Sequence, residues 1–131
     1  MIFVDANIPM YLVGRPHPNK VLARHHVETC IVGGERLVTD AEVFQEILHR
    51  YIAVDRRDMI KPAFDVLSGI VEVVFPITYE ACVVARDLAL GVGRLSARDA
   101  LHVAVMQAEG ITRILTFDED YDSIHGLERV R

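Results

Sequence analysis

Acidic side chains occur directly after short apolar runs of this sequence. Asp5 follows the run 2–4, and Asp118 follows the run 114–117. If both runs are strands of one parallel sheet, their carboxyl ends lie along the same edge, which is where open α/β sheets bind ligands. Aspartate is also an ordinary turn residue, and that simpler role explains either position taken alone. The two positions together predict an acidic edge shared by two strands.

Three further acids have positions from which they can join this edge. Asp99 lies three residues after Ser96, so it fits either the third helical position of a capping box or the acidic edge, and the local pattern leaves both interpretations open. Glu42 and Glu46 lie one turn apart on the same side of a predicted helix. Both are off its apolar stripe, where a solvated polar face is the commoner explanation, and periodicity does not choose between them.

Carboxylates gathered at one edge repel one another unless positive charge lies among them. Either their pKa values rise and some stay protonated, or a divalent cation neutralises them. Oxygen ligands without paired cysteines or a His-x-x-x-His pattern favour a hard ion, so Mg²⁺ or Mn²⁺ is the expected metal. Such ions commonly bind phosphate groups, which points to phosphate-ester chemistry.

The elements that must position these acids alternate between short strands and helices. Apolar runs predict strands at 2–4, 36–39, 71–75, 113–117 and, at an edge, 128–130. Helical spacing and capping signals predict helices at 19–32, 41–54, 58–69, 78–91 and 96–110. The fold class is therefore α/β: a single domain over residues 1–131 with a mostly parallel, short-stranded sheet and helices on both faces.

Local signals predict where several of these elements begin and end. Pro9 and the segment 14–16 limit the stretch after the first strand to one short helical turn and a loop. Asn19 is the expected N-cap of the first long helix, and the glycines at 33–34 are its expected stop. The run 71–75 is predicted to be a buried strand.

Composition limits the class of protein. A length of 131 residues with 51% hydrophobic side chains predicts one compact domain. No apolar run is long enough for a membrane helix and no basic leader precedes Asp5, so a cytoplasmic protein is expected. Cys30 and Cys82 are expected to be reduced core residues. The net charge of −5 falls entirely in residues 62–131 and, taken alone, argues against a nucleic-acid partner.

Four segments of the chain resemble the acidic motifs of the PIN-domain family and, within it, the VapC-type ribonuclease toxins of bacteria and archaea. These segments are 1–7, 37–48, 95–102 and 115–118. The first is similar to the family's strand ending in Asp-Thr-Asn, except that Ala6 stands in the place of the threonine. The resemblance covers essentially the whole chain, and the glutamate that it matches is Glu46 rather than Glu42.

This resemblance implies a metal-dependent endoribonuclease, the toxin of a toxin–antitoxin pair, with one or two Mg²⁺ or Mn²⁺ ions. The residues implied as metal-holding and catalytic are Asp5, Glu46, Asp99 and Asp118. Asp5 and Asp99 are the expected direct ligands, whereas Glu46 and Asp118 would bind a second ion or orient metal-bound water. The residues implied as supporting these acids are Asn7, Thr116 and Asp120.

An RNA substrate requires cations near the acidic edge, and the first half of the chain supplies most of them. The residues expected to contact RNA are Arg15, Lys20, Arg24 and Arg98. Arg94 is expected, with Arg98, to flank Asp99. His102, one turn beyond Asp99, faces either the cleft or the core. The resemblance also implies a cognate antitoxin and a homodimer, although no feature of the sequence marks either surface.

Two other classes of protein fit parts of the pattern. A non-catalytic PIN-like module that binds RNA or protein is the main alternative, and the alanine at position 6 favours it. A phosphatase of the haloacid-dehalogenase type expects an aspartate where Asn7 stands, and a response-regulator receiver expects a lysine near the acids, whereas the last lysine is Lys61. Both of these enzymatic alternatives are weaker than the nuclease.

Overall fold

A five-stranded parallel sheet interleaved with helices forms the protein in the computed structural model, which describes residues 1–93 and 95–131. The strands are β1 (Ile2–Val4), β2 (Leu37–Asp40), β3 (Val73–Phe75), β4 (Arg113–Leu115) and β5 (Glu128–Arg129). The α-helices are α1 (Asn7–Val13), α2 (Pro18–Val32), α3 (Ala41–Ala53), α4 (Ile60–Ile70), α5 (Tyr79–Gly91) and α6 (Ala97–Ala108). Two short 3₁₀ segments are Arg57–Met59 and Glu119–Ser123.

The strand order β3-β2-β1-β4-β5 places a change of direction at the centre of the sheet. The chain runs outward from β1 through β2 to β3, then returns to build β4 and β5 on the other side of β1. Phe3 lies opposite Val38 on one side and Ile114 on the other. In open α/β sheets such a switch point leaves a crevice at the carboxyl ends of the strands. The crevice here lies where β1 and β4 end.

The hydrophobic core holds the two central strands rigidly. All three residues of β1 are fully buried, and the apolar residues of β2 and the last two of β4 are also buried. α3 packs on this core through Val43 and Ile47, which are both 0% exposed. Because the side chains that precede Asp5 and Asp118 are locked in the core, the backbone positions of these acids are fixed by packing.

Side-chain caps fix the starts of the helices that carry candidate residues. Asp40 accepts a 2.9 Å hydrogen bond from the Val43 amide at the start of α3, and Ser96 accepts one of 3.1 Å from the Asp99 amide at the start of α6. α5 begins in the same way at Thr78. α5 and α6 then pack on each other through small residues, including Ala85, Ala100 and Ala104.

The predicted α/β class and parallel sheet are confirmed, and several local predictions are wrong. α1 runs for seven residues through Pro9, because a proline in the first turn gives up an amide that has no helical partner. The cap of α2 is His17, whose Nδ1 accepts from the Asn19 amide, and not Asn19 itself. β3 is a partly exposed edge strand rather than a buried one.

Two smaller points complete the comparison with the sequence. Cys30 is buried as predicted, but Cys82 is exposed on α5. Arg94, predicted to flank Asp99, lies outside the described residues. Within the part of the chain that the structure describes, no helix combines the length and the apolar character needed to cross a membrane.

Candidate active site

Asp5 occupies the carboxyl end of the central strand β1, and its side chain is almost fully buried. Only 5% of the residue is exposed. Its Oδ1 accepts a 2.8 Å hydrogen bond from the Ala6 amide, and its Oδ2 accepts one of 2.7 Å from the Thr116 hydroxyl. The missing threonine at position 6 therefore does not leave this carboxylate without donors.

Thr116 makes hydrogen bonds to residues that follow both β1 and β4. Besides donating to Asp5, its Oγ1 accepts from the Asn7 side-chain amide at 3.0 Å and from the Asp118 amide at 3.0 Å. Asn7 Oδ1 in turn accepts from the Phe117 amide at 3.3 Å. Thr116 thus makes the expected contact with an acid, whereas the hydrogen bonds of Asn7 go to Thr116 and to the Phe117 amide. Together these contacts hold the two strand ends in one arrangement.

Glu46 faces the acidic edge from α3, and Glu42 does not lie in the same cluster. A Glu46 carboxylate oxygen lies 3.7 Å from His102 Nε2, and the other lies 3.2 Å from Arg50 Nε. Glu42 instead lies 3.4 Å from the guanidinium of Arg98, which also donates to Gln45. The choice that periodicity left open is therefore settled by geometry, because only Glu46 shares a cluster with Asp5.

His102 lies beneath the acidic edge and is completely buried together with Asp40. His102 Nδ1 lies 2.8 Å from Asp40 Oδ2, and both side chains are 0% exposed. The second ring nitrogen, Nε2, points toward Glu46 and Asp5, and one ligand atom from each of these three residues lies within 4.8 Å of the other two. His102 therefore faces the acidic cluster while its ring packs against Phe3.

Asp99 enters the site from the first turn of α6. Its amide completes the Ser96 cap, but its carboxylate accepts a 2.9 Å hydrogen bond from the hydroxyl of the buried Tyr121. A capping box needs the carboxylate to return to the cap residue's own amide. Asp99 is thus held on the acidic side by Tyr121, which resolves the two interpretations of its spacing.

Asp118 begins the short 3₁₀ segment that follows β4. Its Oδ1 accepts a 2.9 Å hydrogen bond from the Asp120 amide. Asp120 contributes this backbone amide, and its side chain is exposed. This hydrogen bond leaves the other lone pairs of the Asp118 carboxylate available to a ligand.

Burial and mutual repulsion perturb the acids in the expected directions. Burial raises the pKa of Asp5 to about 6, although His102 and the Thr116 hydrogen bond partly oppose the shift. Burial also raises the pKa of Asp99, and the nearby Asp118 adds to it against the hydrogen bond from Tyr121. Burial would raise the pKa of Glu46 too, but its contacts with His102 and Arg50 outweigh this and lower it. Burial would lower the pKa of His102, but its contacts with Asp40 and Glu46 raise it to about 10, so in the metal-free protein the His102 imidazolium supplies positive charge to the cluster.

The side chains present fit a divalent metal ion. Two ligand atoms bound at about 2.1 Å to one octahedral ion lie about 3.0 to 4.2 Å apart. The ligand atoms of Asp5, Glu46 and His102 lie within 4.8 Å of one another, and His102 Nε2 lies 3.7 Å from Glu46 Oε1. Asp99 and Asp118 add two more carboxylates near this cluster. Besides burial, the charges of Asp118 and Glu46 raise the pKa of Asp99, and the charge of His102 lowers it. The donor set is mainly oxygen, which suits Mg²⁺ and Mn²⁺.

A cavity of about 760 Å³ opens beside the acidic cluster. Asn7 and Asp118 line it and also belong to the strand-end network. Three arginines are among the residues that line the cavity: Arg15, Arg50, which pairs with Glu46, and Arg56, which pairs with Asp58. These arginines place cationic side chains in the cavity wall next to the acids.

Aromatic rings form part of the same cavity wall. Tyr11 packs edge-on against Phe117 with ring centroids 5.3 Å apart, and it lies 5.1 Å from the His17 ring. Lys20 donates to the Gly14 carbonyl in the loop that lines the cavity. Flat rings beside cations are the side chains on which nucleic-acid bases stack.

Two of the residues predicted to contact RNA are placed differently. Arg24 is exposed on α2 and is not among the residues that line the cavity. Arg98 bonds to α3 through Gln45 and Glu42 rather than extending from the site. Arg15 is the predicted RNA contact that the structure places on the cavity wall.

Asp40 and Tyr121 are the site residues that sequence reasoning missed. Asp40 ends β2, so it follows the same rule of an aspartate after a strand that identified Asp5 and Asp118. The predicted strand ended one residue too early for the rule to be applied. Tyr121 lies in an acidic segment that indicated a solvated loop, and only the tertiary fold brings its hydroxyl to Asp99.

Comparison with known proteins gives one family match and several close relatives. The family model described as "PIN domain" matches residues 2–127. The chain is 55% identical to the protein named Ribonuclease VapC13 of Mycobacterium tuberculosis over 130 residues, which is 99% of each chain.

Two solved structures share the fold at lower identity. Mycobacterium tuberculosis VapC20, described as a Sarcin-Ricin loop cleaving toxin, is 21% identical with a TM-score of 0.72 and covers 94% of each chain. A toxin–antitoxin complex from Klebsiella pneumoniae is 16% identical with a TM-score of 0.66, covering 100% of this chain and 97% of the other. At these identities the structures support the fold alone.

Proposed function

The chain belongs to the PIN-domain family and to its VapC group of ribonucleases, and from that premise we propose that it cleaves RNA with a divalent ion held by Asp5, Glu46, Asp99 and Asp118. The ion is Mg²⁺ or Mn²⁺. When bound, it supplies activation of a water molecule and stabilisation of the charge that develops on the scissile phosphodiester. The reaction class is hydrolysis of an internal RNA phosphodiester bond.

The observation that carries this proposal is the cluster at the sheet edge in which Asp5, Glu46 and His102 each place a ligand atom within 4.8 Å of the other two. Asp99 at the start of α6 lies near Asp118 after β4, whose charge adds to the raised pKa of Asp99. Burial is the main cause of the raised pKa of Asp5, about 6, and the negative charge of Glu46 adds to it. Perturbed titratable groups that converge in a crevice are typical of catalytic sites.

The residues around the acids have defined roles in the proposed reaction. Thr116, Ala6 and Asn7 fix the Asp5 carboxylate and the turn after β4 by hydrogen bonds. Tyr121 fixes the Asp99 carboxylate. These contacts orient the acids before a ligand arrives, so little reorganisation is required when RNA binds.

The proposed path for RNA is the cavity beside the acidic cluster. Arg15, Arg50 and Arg56 attract the phosphate backbone, and Tyr11 offers a ring to an unstacked base. Asp118 lines this cavity and belongs to the acidic group, so a strand bound there passes the proposed metal. The target sequence is set by the bases that the cavity accepts.

We also propose two protein partners and a cellular location. The relative from Klebsiella pneumoniae is described as part of a toxin–antitoxin complex, and this chain is proposed to be the toxin of such a pair, held inactive by a cognate antitoxin. A homodimer is proposed on the family resemblance. The cytoplasm is the proposed location, because the proposed RNA substrate is found there.

The experiment that tests the function measures cleavage of a total-RNA pool by the purified chain in Mn²⁺ or Mg²⁺, with and without EDTA. Cleavage is expected only with metal. Asp5→Asn and Asp99→Asn should each reduce the rate by at least about a hundredfold, because each removes a charge that the metal site requires.

Glu42 and Glu46 provide a matched pair for the same assay. Glu46→Gln is expected to abolish cleavage, whereas Glu42→Gln, one turn earlier on α3 and facing Arg98, should leave it nearly unchanged. If the protein binds no Mn²⁺ saturably in calorimetry and cuts no RNA, the nuclease proposal is wrong and a non-catalytic PIN-like module takes its place.

A further inference from the structure

His102 Nε2 stands out among the buried polar atoms of the protein. Of the buried side-chain nitrogen and oxygen atoms in residues 1–93 and 95–131, it is the one without a hydrogen-bond partner. The residue is 0% exposed, so water does not satisfy the atom from outside. An unpaired buried polar atom is costly and requires an explanation.

The orientation of the ring is fixed by the groups on its other side. Asp40 Oδ2 lies 2.8 Å from Nδ1, and Asp40 is itself held by the cap that its other oxygen makes to the Val43 amide. Phe3 packs against the ring face with centroids 5.3 Å apart. With Nδ1 bound to Asp40, the ring has only Nε2 to present to the acidic cluster.

Nε2 lies 3.7 Å from Glu46 Oε1, and a ring nitrogen of His102 lies within 4.8 Å of a carboxylate oxygen of Asp5 as well. In the metal-free protein Nε2 carries a proton, which the nearby carboxylates favour, and a bound cation would take the place of that proton. The separation of 3.7 Å between Nε2 and Glu46 Oε1 is too long for a charged hydrogen bond, which is about 2.7–2.9 Å. It falls within the spacing of about 3.0 to 4.2 Å for two ligands of one ion.

We propose that His102 Nε2 is a nitrogen ligand of the divalent ion, and that Asp40 is the positioning residue that orients the ring. An aspartate–histidine–metal chain of this kind fixes the ring and makes the ligand nitrogen more basic. A nitrogen donor among the oxygens also favours a transition metal such as Mn²⁺ over Mg²⁺, which binds oxygen ligands. The proposal rests on the proposed metal site.

Pulsed electron paramagnetic resonance on the intact chain loaded with Mn²⁺ tests this directly. A bound imidazole nitrogen modulates the electron spin echo of Mn²⁺, and the modulation changes when the protein is made with ¹⁵N-labelled histidine. We expect the nitrogen signal in the native protein, its change on labelling and its loss in His102→Gln. His125→Gln, at an exposed histidine, is the matched control and should keep it.

Metal titration supplies a second measurement without any RNA. By calorimetry, His102→Gln should lower the Mn²⁺ affinity by at least about tenfold and the Mg²⁺ affinity much less. If His102→Gln does not fold, a second variant keeps His102 as the one histidine of six and must retain the nitrogen signal. In that variant glutamine replaces the other five histidines, His17, His25, His26, His49 and His125.

The possible results separate this proposal from the function on which it rests. Saturable Mn²⁺ binding that is lost in Asp5→Asn but shows no histidine nitrogen signal overturns ligation by His102 and leaves the proposed nuclease intact. A nitrogen signal that persists in folded His102→Gln also overturns it. Absence of saturable Mn²⁺ binding overturns both proposals.

Discussion

At the scale of single residues, the charged carboxylate of Asp5 is required by the proposed metal site but destabilises the metal-free fold. Its pKa is raised from 3.8 to about 6 by burial. The metal-free fold therefore binds a proton at Asp5 more tightly than the unfolded chain does. Protonation of Asp5 therefore adds up to about 3 kcal/mol to the free energy of unfolding. This stabilisation is fully present below pH 3.8 and is lost as the pH rises through about 6.

Asp5→Asn is accordingly expected to stabilise the metal-free protein near pH 7. The amide carries no charge to bury and keeps an oxygen for the Ala6 hydrogen bond, but it loses the hydrogen bond from Thr116 at a cost of about 1 kcal/mol. The free energy of unfolding should therefore rise by about 1–2 kcal/mol. Urea denaturation in EDTA at pH 4.5 and pH 7 measures it. The gain should be much smaller at pH 4.5, where the native carboxyl is already protonated, and a pH-independent loss of stability would contradict the argument.

Tyr121→Phe removes one hydroxyl from beneath the site. The Asp99 carboxylate then loses a 2.9 Å hydrogen bond inside a buried region, and we expect RNA cleavage to fall by about 10- to 100-fold with a stability loss of about 1 kcal/mol. Initial cleavage rates and thermal unfolding measure the two effects. Tyr79→Phe, at an exposed tyrosine, is the control, and unchanged cleavage in Tyr121→Phe would show that Asp99 needs no such support.

The sequence predicted individual site residues where a local rule applied. The position of Asp5 and Asp118 after strands was sufficient to place them at one edge, because parallel strands end together. Spacing did not separate Glu46 from Glu42, since residues one turn apart share a helix face. The orientation of His102 depends on Asp40, which lies 62 residues away in the sequence, and no local pattern encodes such a contact.

At the scale of elements, the similar caps of α5 and α6 allow an effect on stability to be distinguished from an effect on RNA cleavage. Ser96 caps α6 and Thr78 caps α5, each accepting a 3.1 Å hydrogen bond from the amide three residues later. Either change to alanine should cost about 1 kcal/mol. Only α6 carries a site residue in its first turn, Asp99, so only Ser96→Ala should also reduce cleavage, by several-fold.

Chemical denaturation and initial cleavage rates of Ser96→Ala and Thr78→Ala, measured side by side, provide this test. If the two variants lose the same fraction of the cleavage rate for the same loss of stability, the first turn of α6 does not position Asp99. Added Mn²⁺ should restore part of the stability of Thr78→Ala, because the metal binds the folded state.

Elements with strong periodicity were predicted well, and those defined by tertiary contacts were not. α3 matches its prediction because its apolar stripe is clear and buries Val43 and Ile47. β3 was predicted to be buried from its apolar composition, yet it forms the edge of the sheet, since strand order is not encoded in a single strand. α1 extends through Pro9 because its first turn tolerates proline.

At the scale of the whole molecule, the net charge of −5 takes on a different meaning. Four of the negative charges are the carboxylates of the proposed metal site, so each bound divalent ion offsets two of them and weakens the repulsion where RNA must approach. RNA affinity is therefore expected to depend on divalent metal more than on any single arginine or lysine. Fluorescence anisotropy of a labelled RNA in Ca²⁺ and in EDTA, at equal ionic strength, measures this, and tight binding in EDTA would contradict it.

The cations of the molecule are not equivalent, and Arg15 and Arg24 form a matched pair. Arg15 lines the cavity beside the acids, whereas Arg24 is exposed on α2. If RNA passes through the cavity, Arg15→Ala should weaken binding several-fold and reduce the slope of log affinity against log salt by about 0.7, the value for one contact to single-stranded nucleic acid. Arg24→Ala removes the same charge and should change neither, because long-range attraction alone is screened within about 10 Å. Equal effects of the two changes in a salt titration would place the RNA path outside the cavity.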